Sequence, residues 1–272
     1  MYEEAAPPAQ LRSVARCVWR SASEGPKRIV PDGCVDLVAG DGEVFVAGPD
    51  TSAWSSVTRP GATLSGVRFI PGRAAAVLGV AADELRDRRV PLGELWGRAG
   101  EVVAERLLEG ELSPAQAVAS RVGEVPVADS AVADSAVAEL IARLDAGVAR
   151  VAEAAAMLTQ PDSGSTNIAG TALTRTGLDA ASVGVGERRL RRRFVQAVGY
   201  GPATYLRVSR FQRAVALAPR VAGLAALAAA AGYADQAHLS RDCRALTGLT
   251  PRGYFRGTST VDVAVRDRLR SA

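Results

Sequence analysis

The sequence predicts an α+β chain. A small, mainly antiparallel β-rich domain with short helices comes first, and an all-α region of two similar helical units joined by a long helix follows. Three observations predict this. Residues 29–70 alternate short apolar runs with Gly, Pro and Asp turns, the texture of strands and hairpins. After Pro71-Gly72 the apolar spacing turns helical. One pattern then occurs twice, 49 residues apart: Leu190, Arg192, Phe194, Gly199, Pro202, Tyr205 and Arg207 return as Leu239, Arg241, Cys243, Gly248, Pro251, Tyr254 and Arg256. Six of the seven positions are identical and the seventh stays apolar. A period that long means one supersecondary unit built twice.

In the β-rich part, the segment Val14–Trp19 reads as a short strand or helix after a polar start. Pro31-Asp32-Gly33 is a turn before the strand Cys34–Val38, and Gly40-Asp41-Gly42 makes a hairpin of it with Val44–Ala47. Gly48-Pro49-Asp50 turns again, and Trp54–Thr58 and Thr63–Ile70 are two further strands separated by Arg59-Pro60-Gly61. Ala74–Leu78, Ala82–Arg86 and Leu92–Trp96 read as short helices against that sheet. Residues 99–158 are rich in Ala, Val and Leu and mostly helical, strongest over Ala138–Leu144 and Val148–Leu158. The tandem Val127-Ala-Asp-Ser-Ala and Val132-Ala-Asp-Ser-Ala reads as an expanded linker, because Ser and Asp weaken a helix that Ala permits. Thr159–Thr166 is a loop, and a helix resumes near Gly170–Ser182.

Composition narrows the function classes. With 272 residues, 48% of them hydrophobic, the chain has material for two cores. No uninterrupted apolar run reaches the roughly 18 residues of a spanning helix. Met1-Tyr2-Glu3-Glu4 running into Pro7-Pro8 lacks the basic start and apolar core of a secretory signal, so a cytoplasmic protein without membrane contact is expected. Cys17, Cys34 and Cys243 are widely spaced and odd in number, which argues against disulfides or zinc. His238 is the single histidine, so a site needing two His ligands is excluded. No metal, no cofactor and no catalytic machinery are expected. The net charge of +4 conceals an asymmetry: residues 186–256 hold thirteen Arg against three acids, an excess of ten, which leaves −6 for the remainder. Positive charge concentrated on the duplicated region suits a surface that neutralises phosphates.

The chemistry of the repeat points to DNA. In the first copy, the stripe Ala172, Leu173, Leu178 and Ala181 is followed by a turn at Gly184 and a second helix from Gly186 to Val198. Leu190, Phe194 and Val198 share its inner face. Arg188, Arg191 and Arg192 project from the other side near the helix N-terminus, where helix-turn-helix proteins meet base edges. Arg189 and Arg193 lie toward the flanks, at phosphate-contacting positions. In the second copy, Leu224–Ala231, the turn Gly232-Tyr233 and the helix 235–247 repeat the arrangement, with Asp235 as N-cap. There Gln236, His238, Arg241 and Arg244 are the DNA-facing candidates, and Leu239 and Cys243 face inward. Arg reads guanine and Gln reads adenine through paired hydrogen bonds. Pro202 and Pro251 open the next helices, and Tyr205, Val208, Phe211, Val215 and Ala218 form the buried stripe of the connector. A stiff connector matters, because two readers on one chain must enter major grooves about 34 Å apart.

The stretches Gly186-Glu-Arg-Arg-Leu-Arg-Arg-Arg-Phe194, Gly199-Tyr-Gly-Pro-Ala-Thr-Tyr205, 232–243 and Gly248-Leu-Thr-Pro-Arg-Gly-Tyr254 resemble the AraC/XylS family of bacterial transcription regulators. The resemblance covers about 148–258. It implies two helix-turn-helix subdomains joined by a long helix, asymmetric promoter or operator sites, action usually as an activator, and RNA polymerase as a partner. The chain departs from the family pattern at Cys243, where an aromatic is usual, at Gly186, where Ser usually caps the helix, and in a longer 159–177 loop.

The N-terminal stretches 31–37, 47–51, 66–72 and 90–96 resemble a domain found ahead of such readers in actinobacterial proteins. The expected organisation is a sensing or dimerising domain over 1–98, a helical linker over 99–147, the double reader over 148–258 and a tail over 259–272. Phe45, Trp54, Phe69 and Trp96 are candidates to line an effector pocket, or else core residues. A small-molecule effector and a homodimer are the further partners considered. Two other readings stand beside this one: a repair alkyltransferase using Cys34, and an oligomerisation module binding DNA without sequence preference.

Overall fold

The computed structural model describes residues 2–22, 25–124, 131–158 and 187–257. Two compact units emerge, Met1–Ala138 with Leu190–Gly201, and Glu139–Arg189 with Pro202–Ala272.

The first unit is built on strands β1 (Tyr2–Ala5), β2 (Ala15–Ala22), β4 (Asp36–Gly40), β5 (Glu43–Ala47), β7 (Thr63–Phe69) and β8 (Arg89–Pro91). They form one sheet in the order β1-β2-β7-β4-β5-β8, every pairing antiparallel. β3 (Lys27–Ile29) and β6 (Trp54–Ser56) make a separate two-stranded ribbon. The β4–β5 hairpin turns through Asp41 (φ 54°) and Gly42 (φ 83°), the pair of positive φ angles that a two-residue hairpin with right-handed twist requires.

Strand alternation sorts the side chains onto two faces. Leu37, Ala39, Val44, Val46, Val67, Phe69 and Val90 face the core. There they join residues of α1 (Ala74–Leu78), α2 (Leu92–Leu108) and α3 (Pro114–Glu124), among them Val77, Leu78, Leu92 and Val118. Phe69, Leu37 and Val46 are completely buried, each worth about 1.5–3 kcal/mol over exposure.

The opposite face has a different character. The register aligns Glu4, Trp19, Gly66, Val38 and Phe45 in one row, and Cys17, Arg68, Asp36 and Ala47 in the next. The Trp19 indole lies over Gly66 and donates its N–H to Asp36 Oδ1 at 2.7 Å. A Cβ on Gly66 would stand 2.5 Å from both the Leu37 carbonyl oxygen and Trp19 Cζ2, so only glycine admits the ring there. Arg68, almost wholly buried, is held by Glu4 (3.1 Å), Asp32 (3.2 Å) and Asp36 (3.2 Å). Burial pushes the Asp36 carboxyl up to about 6 against the pull of Arg68.

Several elements differ from the sequence expectation. Tyr2–Ala5, read as a polar start, is an edge strand because all four residues pair with β2. The segment Val14–Trp19 resolves as strand from Ala15 onward; Ala15 joins the core, and after a register shift Cys17 is buried on the opposite face. Lys27–Ile29 and Arg89–Pro91 are strands too short to show a period. The helix expected at Leu92–Trp96 forms, breaks at Gly97 (φ 58°, ψ −142°), and a further helical stretch continues to Leu108. Ala82–Arg86 is a string of turns, not a helix. It is closed by Asp87 at φ 58°, and the Ala82 N–H donates to the Gln196 carbonyl at 2.6 Å, within the same compact unit.

The second unit is helical. The part of α4 (Ala131–Leu158) from Glu139 onward belongs to it, with α6 (Pro202–Leu217), α7 (Leu224–Ala230), α8 (Gln236–Thr247) and α9 (Pro251–Gly257). α4 runs unbroken through Asp145-Ala146-Gly147 and takes in the second half of the expected linker repeat. Asp145 accepts the Tyr205 hydroxyl at 3.1 Å and the Ser209 hydroxyl at 2.9 Å. On α6, Tyr205, Val208, Phe211 and Val215 are buried in the expected stripe, and Phe211 meets the Tyr254 and Phe255 rings at 5.4 and 6.1 Å. About half of the described residues are helical, and an antiparallel sheet precedes the helical unit, the α+β arrangement expected. The expected loop at 159–166, the helix near 170–182 and the turn at Gly184 lie outside the described residues.

Candidate nucleic-acid interface

The first reader is α5 (Glu187–Val198). Leu190, Phe194 and Val198 are buried, and Arg188, Arg189, Arg191 and Arg192 are exposed, with Arg193 half-buried. The 3.6-residue period produces this split: i, i+4 and i+8 are apolar, and the guanidiniums fill the remainder of the helix surface. The end of the helix is fixed within the first compact unit, where Arg86 donates to the Gly199 carbonyl at 3.3 Å. A cation at that end also complements the helix dipole.

The second reader, α8, starts as the sequence predicts. Asp235 has extended backbone (φ −159°, ψ 173°), and its carboxylate accepts the His238 N–H at 2.6 Å. The helix stops at Gly248, whose φ of 72° is the left-handed cap that a glycine supplies most readily. Leu239, Cys243 and Leu246 are buried. Gln236, Arg241 and Arg244 are exposed on the remaining surface.

His238 does not share that exposed surface. It is half-buried, its ring meets the Tyr233 ring edge-on at 5.1 Å, and its Nε2 lies 3.8 Å from Asp242. Burial, aided by Arg210, lowers its pKa from the ordinary value, and Asp242 opposes this. The ring is therefore neutral near pH 7 and packs the α7–α8 turn. The i, i+4 spacing that puts His238 beside Asp242 is visible in the sequence, but the burial of both is not.

Sequence reasoning missed Asp242 altogether. It is the one acid in α8, and it is buried. Its Oδ1 lies 3.4 Å from Arg207 Nε and its Oδ2 3.9 Å from Arg210, both on α6. Burial raises its carboxyl above the usual range, while Arg210, His238 and Arg207 pull it down. Arg210 in turn lies over the Tyr233 ring, 5.5 Å from its centroid.

The four aromatics considered for an effector pocket do not come together. Phe69 is fully buried in the core on the other face of the sheet from Phe45. Trp96 packs on that same core and donates its indole N–H to the Leu78 carbonyl. Trp54 lies on the ribbon under the Arg89 guanidinium, 3.9 Å away, and donates to Asp50. Phe45 alone shares the outer sheet face with Trp19. Cys34 is buried, its N–H bonded to Asp32. Among the described residues no group of His, Cys, Asp and Glu has the arrangement of a metal site, and no helix is long and apolar enough to cross a membrane.

Two exposed cationic helix faces, one starting from an N-cap after a tight turn, define a helix-turn-helix protein of the DNA-reading kind. The comparisons agree: residues 180–257 match the family model described as a helix-turn-helix domain. Residues 3–91 match a second model, a domain of unknown function (DUF6597). No curated protein matches the chain. Among solved structures, ToxT from Vibrio cholerae O395 is similar with a TM-score of 0.38 and 8% identity, over 91% of this chain and 98% of that one. ToxT bound to (E)-4-(8-methylnaphthalen-1-yl)but-3-enoic acid is similar at 0.37 and 8%, over 94% and 98%. Superpositions that loose carry no argument about what this chain binds.

Proposed function

We propose that the chain is a sequence-specific DNA-binding transcription regulator that lays α5 and α8 in successive major grooves of a promoter or operator. The carrying observation is the split of each helix, an apolar seam on one side and Arg or Gln side chains free on the other. Arg188, Arg191, Arg192, Gln236 and Arg241 read base edges, and Arg189, Arg193 and Arg244 hold phosphates. Regulation is activating and works through RNA polymerase, in the cytoplasm. The N-terminal unit takes a small-molecule effector and pairs two chains.

Genome-wide mapping of bound DNA tests the reading. Discrete peaks upstream of a few genes support it, and uniform occupancy that follows DNA content overturns it in favour of binding without sequence preference.

A further inference from the structure

The basic surface of the second unit contains an anion in the wrong place for a phosphate binder. Asp242 sits on the reading helix α8, next to the exposed Arg241, yet it turns inward to two arginines of α6. Its Oδ2 is buried and has no hydrogen-bond partner, so its stabilisation there is electrostatic, from Arg210 and Arg207. Arg210 is largely buried and stacked on Tyr233, whereas Arg207 has about half of its side chain exposed. The arrangement links α6, the Tyr233 turn and α8 at one point. The first copy of the repeat has no equivalent, because the position 49 residues earlier is Arg193. The two readers are thus charged differently: α5 carries five Arg, and α8 carries two with an acid between them.

We infer that Asp242 is a specificity-determining positioning residue, which holds Arg207 and Arg210 back from the DNA backbone and fixes α8 on the connector helix so that Arg241 and Gln236 face the bases. A free Arg207 would add a contact that every DNA sequence offers, and so raise affinity without discrimination. With the guanidinium engaged by Asp242, the second reader keeps Arg244 for phosphate and depends more heavily on base contacts for its binding.

This inference rests on the DNA-binding reading above, and the experiment separates the two. The full-length protein is titrated with its selected site and with random duplex DNA across a range of salt concentrations. Asp242→Asn, which keeps the shape and removes the charge, is expected to tighten random-DNA binding and steepen its log–log salt slope by about 0.9, one phosphate contact. The ratio of specific to random affinity is expected to fall at least fivefold. Adding Arg207→Gln to Asp242→Asn is expected to return the salt slope to the wild-type value. An unchanged slope and ratio in Asp242→Asn overturns the inference, and so does an equal loss on both DNAs with the wild-type slope, which marks a purely structural role. If Asp242→Asn does not fold, Arg207→Gln alone decides. A wild-type salt slope supports an engaged Arg207, and a slope shallower by about 0.9 shows that Arg207 already contacts phosphate and overturns the inference. Failure of the wild-type protein to bind either DNA refutes the DNA-binding reading itself, which is a different result from any of these.

Discussion

Replacing Asp235 by Ala and, separately, by Asn isolates the contribution of one hydrogen bond to DNA reading. Asp235 stands at the N-cap of α8 and accepts the His238 N–H at 2.6 Å, which orders the first turn, where Gln236 is presented. Both substitutions remove one negative charge, so any gain in attraction to phosphate is common to them. Asn retains a capping oxygen and Ala does not, and a lost cap costs about 1 kcal/mol. If the reading helix must hold its first turn when bound, that cost enters the binding free energy, and about 1 kcal/mol is a factor of about five. The assay is fluorescence anisotropy on the site that the wild-type protein selects, with both variants at the same salt concentration. The expected order is Asn tighter than Ala by about fivefold. Equal affinities within twofold would refute the claim that the start of α8 enters the groove.

Three further outcomes are expected. Arg192→Ala and Arg241→Ala should each cost about 1–3 kcal/mol on the selected site and relax one base position, measured by binding to single-base variants of that site; an equal loss on every sequence would reassign them to phosphate. Gly66→Ala should destabilise the N-terminal unit by about 1–3 kcal/mol, since its Cβ meets a backbone carbonyl at 2.5 Å. Denaturation followed by tryptophan fluorescence reads this unit, because Trp19, Trp54 and Trp96 all lie in it, and an unchanged midpoint would contradict the packing described. Asp36, pushed up to about 6 from an ordinary value near 3.8, binds its proton more tightly in the folded than in the unfolded chain. Its contribution is therefore fully present below about pH 4 and lost as pH rises through 6. Unfolding free energies at pH 4 and 7 should show wild type losing about 2–3 kcal/mol relative to Asp36→Asn over that interval, and parallel pH profiles would remove Asp36 as the source.

The reader was legible in the sequence because its determinants are local. Leu190, Phe194 and Val198 recur at helical spacing, Asp235 precedes a helix, Gly248 ends it, and the repeat matches Leu190, Phe194 and Gly199 to Leu239, Cys243 and Gly248. The hairpin at Asp41-Gly42 was legible for the same reason. What escaped depends on partners distant in sequence. Tyr2–Ala5 becomes a strand only because β2 lies beside it, and Ala82–Arg86, which has helical composition, forms turns whose first N–H is used by Gln196. His238 and Asp242 each look solvent-facing on a basic helix, and their burial follows from Arg207 and Arg210 on α6. The aromatics Phe45 and Phe69 are alike in sequence, yet strand parity sends them to opposite faces.

Selection of bound duplexes from a random pool tests the central claim most directly. Two unlike readers on one chain predict an enriched site of two different base blocks about 10–10.5 base pairs apart, without dyad symmetry. A palindromic site, or a pool in which no sequence is enriched over its starting frequency, would contradict it.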